Sequence, residues 1–205
     1  MRDKSAENRQ ELRRRTIVAA ARKAFLRNGY GQTTMSAIAA AVGGSKTTLW
    51  AYYRNKYDLF AAVVDDLVER YGEALRVPLP PAGDPAETLR ALGRTVMGTI
   101  LRPQIVVLHR LVTGEAGRFP ELGQLLFERG INRGQARTAE WLAGQMQRGS
   151  LRPGDPMVAA QHFVGLLQSG VFQRHVLGAA PAPGADEIHA EVDTVVDVFM
   201  RAYKV

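Results

Sequence analysis

The 205 residues allow one large domain or a small and a medium one, and a hydrophobic content of 46% supports a packed core, which excludes a disordered chain. There is no cysteine, so disulfides, thiolate metal sites and cysteine nucleophiles are excluded. The net charge of +7 is unevenly placed: residues 1–56 hold 12 Lys and Arg against 3 Asp and Glu, a charge of +9, and the remainder carries −2, as expected for a footprint on phosphates. The N-terminal run MRDKSAENRQELRRR lacks the apolar stretch of a signal peptide, and no segment approaches the ~18 apolar residues of a membrane span. A soluble, cytoplasmic protein with no membrane partner is expected.

Helical periodicity dominates in chain order. Arg13, Arg14 and Arg15 belong to a basic arm, suited to following a phosphate backbone or entering a minor groove. Ile17, Ala20, Ala21, Ala24 and Phe25 give a first helix one apolar face, and Asn28-Gly29 closes it. Thr33 and Thr34 are candidate N-caps for a second helix whose apolar face is Met35, Ile38, Ala39 and Val42. Gly43-Gly44 makes a turn, and Ser45 caps a third helix that runs to about Tyr53. Asn55 caps a fourth, with Asp58 three residues on in a capping-box-like pair, and an apolar stripe follows from Phe60 to Leu75. The segment PLPPAGDP at 78–85 is a break. Beyond it, helices are predicted at about 86–101, 104–113, 120–148 and 157–177, and a last one follows the Ala/Pro/Gly loop near 178–185. No strand-like alternation persists, so the fold class is all-α, with nine or ten helices. Residues 1–56 form a helix-turn-helix DNA-binding domain with its basic arm, and 57–205 a helical ligand-binding and dimerisation domain.

The second and third helices have the layout of a helix-turn-helix, whose second helix enters the major groove. Ser45, Thr47 and Thr48 are short enough for close approach and Lys46 supplies charge. Leu49 and Tyr53, four apart, should face inward. Lys56 opens a helix, where exposed amides also favour a phosphate. From Ile17 to Phe60 the chain resembles the TetR family of bacterial transcriptional regulators: Phe25, Gly29-Tyr30, Thr33-Thr34, Ile38-Ala39, Gly43, Ser45-Lys46, Thr48-Leu49, Tyr52-Tyr53, Lys56 and Leu59-Phe60 match in order. The resemblance implies DNA contact by Thr34, Ser45, Lys46, Thr47, Thr48, Trp50, Tyr52 and Lys56. Three positions depart from the pattern. Gly44 stands in place of Val and adds flexibility, Trp50 replaces Tyr, and Tyr57 replaces an acid. The C-terminal runs FPELGQLLFERG and AEWLAGQMQRGSLRPGDPMVAAQHFVGLL faintly resemble the AefR-like effector domains of the same family.

A protein that reads one half-site per subunit needs a two-fold partner. The segment 157–177 is apolar on nearly all sides, and the last two long helices are the expected homodimer interface. A small-molecule effector is expected between the middle helices, and candidates for its lining are His109, Phe119, Trp141, Met146, His162, Phe163 and Phe172, with Met97, Phe127 and Gln168. His109, Arg110 and Glu115 cluster in sequence and suit a polar effector, or else form a solvated helix end. Gly93, Gly98, Gly114, Gly117, Gly130, Gly134 and Gly144 point to loose or movable packing in these helices. His189, Asp193 and Glu187 read as solvated charges, so neither metal nor cofactor is expected. No HExxH, P-loop, GxGxxG or GxSxG motif occurs, and no enzyme is expected. The expected function is a homodimeric repressor released from a double-stranded, two-fold DNA operator by an effector. Rival readings are an activator or ligand-independent regulator of the same fold, or a non-specific DNA-binding protein.

Overall fold

Residues 4–205 are described by the structure, a computed structural model, with side chains from residue 7 onward. The helices are α1 (Lys4–Asn28), α2 (Met35–Ala41), α3 (Lys46–Tyr52), α4 (Lys56–Tyr71), α5 (Pro85–Ile100), α6 (Pro103–Glu115), α7 (Pro120–Leu126), α8 (Asn132–Gln147), α9 (Pro156–Leu167), α10 (Gln173–Val176) and α11 (Ala185–Tyr203). A π turn at Phe127–Ile131 joins α7 to α8, and another at Gln168–Phe172 joins α9 to α10. The runs predicted at 120–148 and 157–177 are therefore each one helical path with a π turn inside. Gly170 lies in the second turn, where an added Cβ would collide with the Glu191 carboxylate. Among the described residues the only β pairing is an isolated antiparallel bridge between Leu151 and Lys204.

The basic segment before Ile17 is not an arm: α1 begins at Lys4 and carries Arg13, Arg14 and Arg15 within it. The stretch NRQELRRR has no Gly, Pro or β-branched residue to oppose helix, and Arg15 pairs with Glu11 one turn back at 2.9 Å.

Packing divides the chain into two compact units, residues 1–70 with 110–126, and residues 71–109 with 127–205. α4 packs with the first three helices. The cause is the apolar stripe of α4: Leu59, Phe60, Val63, Val64 and Leu67 are fully buried. Phe60 meets Phe25 of α1 edge-on at 5.2 Å, and Arg22 of α1 bonds Asp66 of α4. In the same unit α1 packs on α2 and α2 on α3. Thr34 caps α2 with its hydroxyl on Ala37 N–H at 3.2 Å. Thr33 does something else: it is buried and donates to the Gly29 carbonyl at 2.7 Å, which ties the turn to the end of α1. Asn55 caps α4 by accepting from Asp58 N–H at 2.7 Å.

The second unit is built on α5, α8, α9 and α11. Leu89, Leu92 and Met97 of α5, Trp141 and Leu142 of α8, Phe163 and Leu167 of α9, and Val192, Val196 and Phe199 of α11 share one core. The proline-rich break before α5 is held by α8: Arg137 donates to the Ala74 and Val77 carbonyls, Trp141 Nε1 to Pro80 at 2.8 Å and Gln145 to Pro81 at 3.2 Å. Proline leaves carbonyls without local partners, and these three side chains satisfy them. Gly93 is not a point of loose packing. A Cβ there would lie 2.8 Å from Val192 Cγ1, so it marks the close approach of α5 to α11. Gly98 and Gly114, by contrast, face open space.

Candidate nucleic-acid interface

The turn between α2 and α3 is made by Gly43, whose φ of +62° is left-handed and favours glycine. Ser45 then caps α3: its Oγ accepts from Thr48 N–H at 3.1 Å and lies 2.9 Å from the Thr48 hydroxyl. Leu49 within α3 and Tyr53, the extended residue that ends it, are buried. Ser45, Lys46, Thr47 and Thr48, around its cap and first turn, are exposed, and Trp50 is 46% exposed. Thr34 is exposed at the start of α2, and Tyr52 is half-buried. Six of the eight sequence-predicted contacts are thus displayed to solvent, five of them around α3 and its cap and Thr34 at the cap of α2.

Lys56 is turned elsewhere. Its Nζ donates to the Tyr30 carbonyl at 2.9 Å and sits 4.3 Å from the centre of the Tyr30 ring. Burial pushes its pKa below the ordinary lysine value, against the pull of the Glu115 carboxylate. The partly exposed ammonium is thus hydrogen-bonded to the α1–α2 turn.

The same turn holds a feature the sequence did not disclose. Tyr30 and Gly31 N–H donate to Oε1 and Oε2 of Glu115, each at 2.6 Å. Gly29 has a φ of +83°, which aims successive amides at one point and makes an anion-binding nest. A Cβ on Gly29 or Gly31 would stand 2.7 or 2.9 Å from that carboxylate, so both glycines are needed for the approach. Glu115 ends α6 and was read with His109 and Arg110 as an effector cluster or a solvated end. It is neither: it anchors the end of α6 to the α1–α2 turn within one unit. The Gly-Tyr-Gly run was the one available signal, and nothing in sequence joined it to a residue more than 80 positions away.

The effector candidates fall in both units. Phe119 belongs to the N-terminal unit and meets Tyr30 edge-on at 5.0 Å. Trp141 has its N–H on Pro80 and is core. Phe163 is fully buried against Phe199. Met146 lines an open surface depression with Pro153 and Pro156. His162 is exposed, with Nδ1 2.6 Å from the Tyr203 hydroxyl. Met97 is core, Phe127 is 47% exposed and Gln168 is half-buried. His109 and Phe172 meet ring to ring at 5.5 Å and nearly perpendicular, with Phe172 in the π turn after α9 and in the same core as Met97, Trp141 and Phe163. His109 Nδ1 is buried and makes no hydrogen bond, a state that normally calls for a partner.

Burial lowers the pKa of His109 below 6.5. The folded protein therefore resists a proton that the unfolded chain accepts, and His109 costs stability as the pH falls below about 6.5. His109→Gln should remove that part of the acid dependence, seen as a smaller loss of urea midpoint between pH 7.5 and 5.5. An unchanged slope would mean that the imidazole is freely solvated.

Asp193, on α11, bonds Arg94 at 3.3 Å and pairs with Arg90, which accounts for its charge without a metal. No described helix is long and apolar enough to cross a membrane.

An exposed polar face on the second helix of a capped helix-turn-helix, with its apolar face locked inside, defines a DNA-binding regulator. The profile described as bacterial regulatory proteins, tetR family, matches residues 17–63, and that of the AefR-like transcriptional repressor C-terminal domain matches residues 87–205. The chain belongs to the TetR family of transcriptional regulators. Among solved structures, a TetR-family transcriptional regulator from Mesorhizobium loti is similar at 28% identity over 99% of this chain and all of that one, with a TM-score of 0.82. The flavonoid-responsive regulator FrrA is similar at 30% identity over 95% of this chain and 98% of its own, also with a TM-score of 0.82. A TetR-family regulator from Pseudomonas syringae pv. tomato follows at 26% identity over 94% and 97%, with a TM-score of 0.77. No curated protein matches the sequence.

Proposed function

We propose that the protein is a homodimeric, ligand-responsive repressor that leaves a two-fold operator when a small effector binds. The observation that carries this reading is that Leu49 and Tyr53 are buried while Ser45 to Thr48 and Trp50, on α3 and its cap, are exposed. Lys46 takes a phosphate, Thr47 and Thr48 meet base edges, and Trp50 packs along the groove wall. Repression is supported by the AefR-like repressor match over the C-terminal half.

Dimerisation through α9 and α11 is supported by the apolar surface they leave uncovered: Val158 is 40% and Val198 45% exposed, beside a groove lined by Leu166, Phe199 and Tyr203. A second copy would cover this face. Ligand response is supported by FrrA, whose name describes response to flavonoids, and by the unpartnered His109 beside Phe172. A planar aromatic bearing a hydroxyl suits that pair, with the ring stacking and the hydroxyl donating to imidazole. α6 carries both His109 and Glu115. An effector that prefers one setting of α6 would shift the population of DNA-competent dimers.

The test is a footprint on DNA upstream of the protein's own gene, at near-physiological salt with excess competitor. A symmetric protected site supports the reading. Even protection that disappears with competitor would indicate non-specific binding. Lys46→Ala should weaken binding to all duplexes alike and reduce the salt slope by about 0.9 per phosphate lost. Equal affinity and slope in this variant would refute the docking of α3.

A further inference from the structure

We propose that Arg13 is an additional DNA-contacting residue and that Gly44 exists in this chain to seat it. A Cβ added to Gly44 would lie 2.8 Å from Arg13 Nη2. The guanidinium, projecting from α1, therefore rests on the turn between α2 and α3. Conformation does not require the glycine: Gly43 has a positive φ, while Gly44 has none. Its other neighbours, Val42 Cγ2 at 3.8 Å and Ala39 O at 4.0 Å, would accept a methyl group at ordinary contact distance. Only the arginine needs the space. The sequence reading of Gly44 as added flexibility is replaced by a packing reason.

The three adjacent arginines of α1 divide by their partners. Arg15 is paired with Glu11, and Arg14 lies 5.7 Å from the centre of the Tyr53 ring. Arg13 is half-buried yet makes no hydrogen bond, ion pair or ring contact among the described residues. A guanidinium offers five donors in a rigid fork, and among the described residues none of them is used. The fork is open to an anion with paired oxygens, and a phosphodiester is such an anion.

The position agrees with that partner. Gly44 immediately precedes Ser45, the cap of α3, so the guanidinium sits beside the helix proposed to enter the groove. Side chains flanking a recognition helix meet the sugar-phosphate strand, while those on it reach the bases. Arg13 thus sets register on the duplex and carries no base preference. This inference rests on the docking of α3 described above.

The experiment compares wild type, Arg13→Ala, Gly44→Ala and the double variant. The DNA is a duplex selected from a random pool by wild-type protein, titrated over a series of salt concentrations. Arg13→Ala should lose about 3- to 10-fold in affinity on specific and scrambled duplexes alike, with the salt slope reduced by about 0.9. Gly44→Ala should reproduce much of this loss at an unchanged melting temperature, because the methyl displaces only the free end of a flexible side chain. The double variant should bind no worse than Arg13→Ala, the mark of two residues acting as one. Arg13→Lys, which keeps the charge and loses the fork, should recover part of the affinity and separates DNA contact from any effect on folding. Arg13→Ala binding like wild type, or single losses that multiply in the double variant, would overturn the proposal while leaving the docking of α3 intact. Wild-type protein that selects no duplex would overturn both.

Discussion

Glu115→Ala should lower the stability of the protein by about 2–3 kcal/mol and its melting temperature by roughly 5–10 °C. The carboxylate accepts both Tyr30 and Gly31 N–H at 2.6 Å, and its removal leaves two partly buried amides without a partner. Charge-assisted bonds of this length are about twice as strong as neutral ones. Lys56 would also lose the anion opposite it while still partly buried against the Tyr30 carbonyl and ring. Glu115→Gln isolates the cause. Its size is kept, but its NH2 group would face a backbone N–H, so it should lose roughly half as much. The α1–α2 turn leads directly into Thr34 and α2, so DNA affinity should fall in parallel with stability. Substitutions on the exposed side of α3 should behave differently, weakening DNA binding at constant melting temperature. Thermal melts by circular dichroism at fixed protein concentration, beside DNA titrations, test both statements. A melting temperature of Glu115→Ala within a degree of wild type would show the nest to be unimportant.

Two glycines of α5 should respond to alanine with opposite signs. Gly98 faces open space, so Gly98→Ala should stabilise the protein by about 0.5–1 kcal/mol through helix propensity alone. Gly93→Ala gains the same propensity but places a methyl group 2.8 Å from Val192 Cγ1 and 3.4 Å from Leu167 Cδ2. Val192 and Leu167 are fully buried, and Val192 is β-branched, so neither can move aside freely. Overpacking of this kind costs about 1–3 kcal/mol, which exceeds the propensity gain and leaves a net loss of roughly 1–2 kcal/mol. Gly93→Val should be worse still. Urea midpoints of the three variants at one protein concentration measure the effect, with concentration held fixed because an oligomer's stability depends on it. A Gly93→Ala variant more stable than wild type would mean that α5 and α11 are separable, as loose packing would have it.

The local chemistry of the helices was legible in sequence because it is set by neighbours within a turn or two. Ser45, Thr34 and Asn55 cap where their hydroxyls and amide predicted, and the periodicity of Leu49 and Tyr53 placed them inside. The all-α class followed from the same periodicity, and the family from the ordered match between Ile17 and Phe60. Helix ends next to charged residues were less legible. A run of arginines suggests an arm, yet the helix-forming tendency of Glu, Gln and Arg carries α1 back to Lys4.

What only the tertiary structure decided is which residues distant in sequence share a charge, a cavity or a contact. Glu115 is 85 positions from Tyr30, and a carboxylate at a helix end looks the same in sequence whether solvent or a backbone nest receives it. Arg13 and Gly44 lie 31 positions apart, and a glycine that makes room cannot be told by composition from one that bends the chain. The candidates for an effector site had equal standing in sequence, whereas packing puts Met97, Trp141, Phe163 and Phe172 in one core and sets the His109 ring against Phe172. Helical spacing reports which face of a helix is apolar. It does not report what lies across from that face, because the partner is chosen by the path of the chain and not by the helix itself.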